Sequence, residues 1–267
     1  MKIVGMAQIY NEIASGHLKR CLDHYSKICD EIVVLDDAST DGSYDLARGY
    51  TGHVIRNESN VWDKDLETQN KARLLEKTLE LKPDWIISFD ADEIYEKKVE
   101  ERIFLENMLR WASAKEINSL SFNWYHLWLS ESWYRTDKNL SVVSPPRMWR
   151  NIGDLKIDVT PGLHQRLHPI QMENPHYLNI TIVHYSSSSQ QKLMDKILNY
   201  MRLDPTRDYL SVLNGVELGE VNYDWFTDQN KPAQEPRPDL EKLHREIRQT
   251  IEQNRKQFTS NAQAQKV

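Results

Sequence analysis

Two rhythms of apolar and polar positions divide the first hundred residues. Short apolar runs at 2–7, at Glu31-Ile32-Val33-Val34-Leu35-Asp36, at His53-Val54-Ile55 and at Trp85-Ile86-Ile87-Ser88-Phe89 are rich in β-branched and aromatic residues and read as buried strands. Between them apolar residues recur at three- and four-residue spacing. Leu18, Cys21, Leu22, Tyr25 and Ile28 predict a helix with Ser15 as its cap. The turn-rich Asp37-Ala38-Ser39-Thr40-Asp41-Gly42-Ser43 opens a short helix to about Tyr50. Leu74, Leu75, Thr78 and Leu79 mark a helix over 65–81, which Pro83 ends. Strands alternating with helices in this way predict an α/β fold with a parallel, doubly wound sheet.

The second half is less regular. It reads as a helix over 99–112, a long strand over 119–128, a strand at Arg147–Arg150 after the Pro145-Pro146 break, and a strand from Leu178 to Tyr185. Ser186 to Ser189 then lead into a helix to Leu203. The segment 204–237, rich in Pro, Gly, Asp and Asn, is expected to wrap the surface. A charged helix over 238–257 carries Leu240, Leu243, Ile247 and Ile251 along one seam at near-heptad spacing. Docking on its own domain is the favoured use of that seam, and a homo-oligomer contact the alternative. The tail after Thr259 is expected to lack structure. The organisation expected is a catalytic domain over 1–203, split into halves 1–97 and 98–203, with a C-terminal extension over 204–267.

The chemistry concentrates where the fourth apolar run ends, at Asp90-Ala91-Asp92-Glu93. In extended backbone Asp90 and Asp92 project to one side. Two such carboxylates repel unless a cation or proton lies between them. Hard oxygen donors suit magnesium or manganese, and a diphosphate would complete the shell. The plainer alternative is a strand ending in a solvated acidic turn. The net charge of −6 argues against a general nucleic-acid binder. No apolar run reaches the ~18 residues needed to span a bilayer, and Met1–Ala7 is too short and too soon polar for a signal peptide. Cys21 and Cys29 fall on one predicted helix, roughly 12 Å apart along its axis, too far for a disulfide. Two unpaired thiols point to the cytoplasm.

No Gly-x-Gly-x-x-Gly follows the first strand and no Gly-Lys-Ser/Thr loop is present. An acidic crevice without a backbone phosphate cradle needs a metal to hold a nucleotide diphosphate. Asn11-Glu12 after the first strand, Leu35-Asp36-Asp37-Ala38-Ser39-Thr40-Asp41-Gly42-Ser43 after the second and Phe89-Asp90-Ala91-Asp92-Glu93 after the fourth resemble glycosyltransferase family 2. The three motifs stand in order at suitable spacing across the first hundred residues. The resemblance implies a GT-A fold, a nucleotide-sugar donor, UDP-linked before others, and sugar transfer to an acceptor hydroxyl with inversion. It places the Gln8–Glu12 loop beside the nucleoside, has Asp37 accept from the base edge, and sets Asp36 in the same crevice. Asp90 would lie near the ribose or the metal, and Asp92 would ligate Mn2+ or Mg2+. Arg73 stands about where the family carries a basic residue, one residue out of register, with Lys71 as its rival. Gln8 departs from the family's proline.

The resemblance also nominates His184, at the end of Ile180-Thr181-Ile182-Val183-His184, as a further metal ligand. Its alternative is a hydrogen-bonded strand-end histidine. Pro161-Gly162-Leu163-His164-Gln165-Arg166-Leu167-His168 resembles a Gly-x-x-His-Glu element facing the acceptor, with Gln165 replacing the Glu. Inversion requires a general base near the acceptor hydroxyl. His164 is the first candidate, with Glu131, Asp154 and Asp158 as others. Arg147, Arg150 and Arg166 could offset diphosphate charge, and Trp124, Tyr125, His126, Trp128, Trp133 and Tyr134 could stack on sugar or fill the core. Expected partners are the nucleotide-sugar and a carbohydrate, lipid-linked or protein acceptor in polysaccharide, lipopolysaccharide or glycoconjugate synthesis, with peripheral membrane contact. Two rivals stand beside this reading. One is a haloacid dehalogenase-like phosphatase using Asp90, for which Ile94 is the wrong residue. The other is a non-catalytic sugar- or nucleotide-binding protein.

Overall fold

A computed structural model describes residues 1–60, 67–137, 140, 142–160, 167–203 and 207–264, the last ten as backbone only. The chain forms two compact units that interleave in sequence. The first comprises Met1–Trp124, Val142–His184 and Tyr223–Lys231, and the second Tyr125–Ser141, Tyr185–Asn222 and Pro232–Val267.

The first unit opens with β1 (Ile3–Ile9), α1 (His17–Ile28), β2 (Glu31–Asp36), α2 (Ser43–Tyr50), β3 (His53–Arg56), α3 (Glu67–Glu80) and β4 (Trp85–Ser88). Strands β3, β2, β1 and β4 are parallel neighbours in that order, the α/β arrangement that the GT-A resemblance anticipates. Val4, Met6, Val33, Leu35 and Ile86 pack with Leu74 and Leu75 of α3. Gly5 admits close neighbours, since a Cβ there would stand 3.0 Å from Cys29 Sγ and 3.1 Å from Phe89. Both cysteines are free and buried, as their spacing requires. Gly16, left-handed at φ 69°, occupies the cap of α1, and Ser15 Oγ accepts from the His17 N–H at 3.1 Å.

Beyond β4 the sheet changes direction. β5 (Glu93–Tyr95), α4 (Arg102–Ala114), β6 (Ser119–His126), β7 (Trp133–Arg135), β8 (Met148–Arg150) and β9 (His176–His184) follow. The eight-stranded order is β3-β2-β1-β4-β8-β6-β9-β5, with β8 antiparallel to both β4 and β6, and β5 antiparallel to β9. Residues 89–92 alone separate β4 from β5, yet three strands lie between them in the sheet. The sheet must therefore curl back, and the acidic turn is the hinge of that curl.

The second unit is built on α5 (Gln190–Leu203) and α6 (Leu240–Ala264), with β7 paired to β10 (Leu218–Glu220). Ile247 and Ile251 of the α6 seam are fully buried among Trp128, Leu193, Ile197 and Leu213 of the same unit. The helix continues to Ala264, past the point where the sequence suggested it would fray. Among the described residues no helix is long and apolar enough to cross a membrane.

Candidate nucleotide and metal site

The carboxyl ends of β1, β2 and β4 carry the predicted residues, and the loops there are stitched together before any ligand is considered. Asn11 adopts a left-handed backbone, φ 52°, its N–H bonds to Ser39 Oγ (2.9 Å), and its Oδ1 accepts from the Thr40 N–H (2.8 Å). The Glu12 N–H donates to Ser43 Oγ at 2.7 Å. Asn11 is thus a latch between the two loops. Asp36 and Asp37 are fully buried. Asp36 Oδ2 faces Arg56 Nε at 3.3 Å, while Asp37 Oδ1 accepts from Asn57 Nδ2 at 2.6 Å. Gln8 ends the face of β1 that carries Val4 and Met6, and its buried Oε1 has no hydrogen-bond partner.

The strand at β4 stops at Ser88, and 90–93 turn, with the Glu93 N–H on the Asp90 carbonyl at 3.2 Å. Asp90 and Asp92 therefore stand on a turn and not on a continued strand, and the Asp92 charge acts on the Asp90 carboxyl. Asp90 Oδ2 accepts from Arg147 Nη2 at 2.7 Å, and its Oδ1 lies 3.8 Å from Lys71 Nζ. The surrounding protein desolvates this carboxyl, but the Arg147 and Lys71 charges outweigh that and hold its pKa down at about 2. The same Arg147 Nη2 donates to Glu93 Oε1 at 2.6 Å, which also accepts from Trp124 Nε1 at 2.7 Å. Glu93 is 1% exposed; burial pushes its carboxyl above the usual range against the pull of Arg147. Arg147, read from sequence as an offset for diphosphate charge, is buried and ties Asp90 to Glu93.

Asp92 meets His184. Register pairs Glu93 with His184 across β5 and β9, and His184 Nε2 lies 3.3 Å from Asp92 Oδ1. The indole of Trp124 stacks on the His184 ring at 5.1 Å and 11°. Two donors bound to one ion at ~2.1 Å each stand about 3 Å apart, so the pair fits a shared magnesium or manganese ion. Among the described residues no three His, Cys, Asp or Glu side chains group as a metal site. Water and diphosphate oxygens would have to fill the remaining positions, as hard cations accept.

Of the remaining predicted residues, Arg73 is exposed and donates to Asn57 Oδ1 at 2.7 Å, whereas Lys71 is buried beside Asp90. The two stand two positions apart on α3 and so face different ways. Glu131 belongs to the second unit. His164, Gln165 and Arg166 lie outside the described residues. Sequence reasoning set Asn57 with Arg56 on a loop of the crevice without giving it a role, and gave no place to Asn70. The signal for Asn70 was a polar residue on the apolar stripe of α3, one turn before Leu74.

Residues 8–126 match the family described as Glycosyl transferase family 2. That match runs from the end of β1 to the end of β6, under half of the chain. Solved structures of low identity are similar to part of the chain. S. aureus TarS 1–349 is 14% identical over 76% of this chain and 66% of that one, with a TM-score of 0.48. The same protein in complex with UDP-GlcNAc gives 13%, 76%, 68% and 0.47. Glucosyl-3-phosphoglycerate synthase from Mycobacterium tuberculosis, with Mg2+ and UDP, gives 20%, 47%, 43% and 0.32. The chain thus spans between 43% and 68% of those structures' lengths. No curated protein matches the chain.

Proposed function

We propose that the chain transfers a sugar from a UDP-linked donor to an acceptor hydroxyl, with inversion, and that it uses Mn2+ or Mg2+. The observation that carries this reading is the Asp92–His184 pair, 3.3 Å apart, which joins the acidic turn within the family 2 match to the end of β9. Asp92 and His184 are the two protein ligands in this reading, and Asp90 is their neighbour, engaged by Arg147. When bound, the ion supplies Lewis-acid stabilisation of the departing diphosphate. Asp37 accepts from the base edge, and Asn57 holds its carboxylate in place. Lys71 and Arg147, both buried, cancel the charges of Asp90 and Glu93, so that the diphosphate approaches a turn whose repulsion is already offset. His164 and Glu131 remain the proposed acceptors of the hydroxyl proton. Cytoplasmic location and a role in cell-envelope or glycoconjugate synthesis belong to the same proposal.

A thermal-shift panel of UDP, GDP, dTDP and CMP derivatives, with and without manganese, tests it. A ligand at a hundred times its dissociation constant adds about 2.7 kcal/mol. The expected result is a shift with UDP that requires manganese; equal melting in every well would refute the reading. Sugar transfer or donor hydrolysis in manganese separates an enzyme from a binding protein.

A further inference from the structure

Three elements meet at one side-chain amide. Arg73 of α3, which carries only donors, gives its Nη1–H to Asn57 Oδ1 at 2.7 Å. Asn57 Nδ2 is then the donating end, and it reaches Asp37 Oδ1 at 2.6 Å and Asn70 Oδ1 at 3.2 Å. A guanidinium cannot accept and a carboxylate cannot donate, so this network has a single polarity. That polarity commits the oxygen of Asn70 and leaves its nitrogen as the free end. Asn70 is 2% exposed, and its Nδ2 has no hydrogen-bond partner in the protein. A buried amide donor without an acceptor is rare in folded proteins. It is the more telling on a helix face where an alanine or leucine would pack at no polar cost.

We propose that Asn70 is a second base-reading group beside Asp37. The donor nucleotide must then present a ring N–H next to a carbonyl: the N–H to Asp37, the carbonyl oxygen to Asn70 Nδ2. Uracil offers this edge. Cytosine offers a lone pair where Asp37 needs a proton, so that contact fails, and where the carbonyl read is O4 it offers an amine to Asn70, which also donates. A site built to hydrogen-bond one edge rejects the analogue that leaves its buried polar groups unpaired. The inference rests on the proposed role of Asp37 at the nucleobase and adds the residue that makes the reading selective.

Calorimetric titration of the full chain with UDP and CDP in manganese tests it. UDP should bind at least about tenfold more tightly than CDP. Asn70→Asp keeps the oxygen that Asn57 needs and turns the free donor into an acceptor, so the preference for UDP should collapse. The double variant Asp37→Asn/Asn70→Asp reverses the whole edge and should make CDP the tighter ligand. A measurement on the unaltered protein guards against misfolding: 2-thio-UDP or 4-thio-UDP should bind roughly fivefold more weakly than UDP, since sulfur accepts poorly. If UDP binds, both thio analogues match it and Asn70→Asp leaves the UDP-to-CDP ratio unchanged, Asn70 reads nothing and the inference alone is overturned. If UDP, CDP, dTDP and GDP all fail to bind the wild type, the nucleotide reading falls and takes this one with it.

Discussion

Among the described residues each unit buries one arginine against carboxylates, and the two are finished differently. In the second unit Arg135 faces a single acid, Asp137, through two bonds of 2.8 and 2.6 Å. Its Nη1 donates to the Val212 carbonyl at 2.7 Å, and its guanidinium lies 4.5 Å from the Trp128 ring. Charge and geometry there close one to one. In the first unit Arg147 spends a single nitrogen on two acids, Asp90 and Glu93, while its buried Nε has no partner. Lys71 stands 3.8 Å from the same Asp90, and Asp92 on that turn faces His184, so three carboxylates are shared among several cationic or protonatable partners. A buried ion pair that is complete holds a fold together. One shared among several acids is where the proposed cation site is placed.

Removing either arginine should give the largest effects. Arg135→Met and Arg147→Met should each cost about 3–5 kcal/mol in urea unfolding, because a buried carboxylate loses its partner. The repairs should differ. Arg135→Met/Asp137→Leu should recover most of the stability, since an apolar pair of similar volume often serves as well as a buried ion pair. Arg147→Met/Glu93→Leu should recover stability without recovering UDP binding. Recovery of both would make Arg147 a structural residue like Arg135.

The ligand pair should respond in the opposite sense. Asp92→Ala should remove manganese-dependent UDP binding while changing stability by less than about 1 kcal/mol. His184→Ala should weaken manganese about tenfold or more, and an unchanged metal titration would remove His184 from the ligand set. Acid titration offers a smaller effect. The Asp90 pKa lies below its ordinary 3.8, at about 2, so its contribution is present above 3.8 and lost as pH falls towards 2. Asp90→Asn should flatten stability across that window; an unaltered acid limb would show that the Arg147 contact does not stabilise the fold. The smallest effect is expected at Arg73, exposed and acting through Asn57. Arg73→Leu should weaken UDP only about twofold, whereas a loss as large as that of Asp92→Ala would make Arg73 a direct ligand contact.

Local pattern and long-range pairing explain what could be read in advance. β2 and α2 stand where periodicity and turn residues put them, because those signals lie within a few neighbours. The acidic turn was visible as an apolar run ending in carboxylates. Its partners were not, since Arg147 reaches Asp90 across 57 residues and Glu93 across 54. β5 could not be foreseen either: three residues long, it exists by pairing with β9 some ninety positions later. Lys71 and Asn70 were legible in principle as polar residues on a buried helical stripe. Choosing Lys71 over Arg73 needed the rotation of α3, which a motif carried over by alignment does not supply.

Asp92 and His184 are proposed to hold a divalent ion used by a nucleoside diphosphate. Electron paramagnetic resonance of free manganese, titrated into the protein with UDP present, reads it most directly. Uptake of a single equivalent is expected in the wild type, none in Asp92→Ala and weaker uptake in His184→Ala. Equal uptake by all three proteins would contradict it.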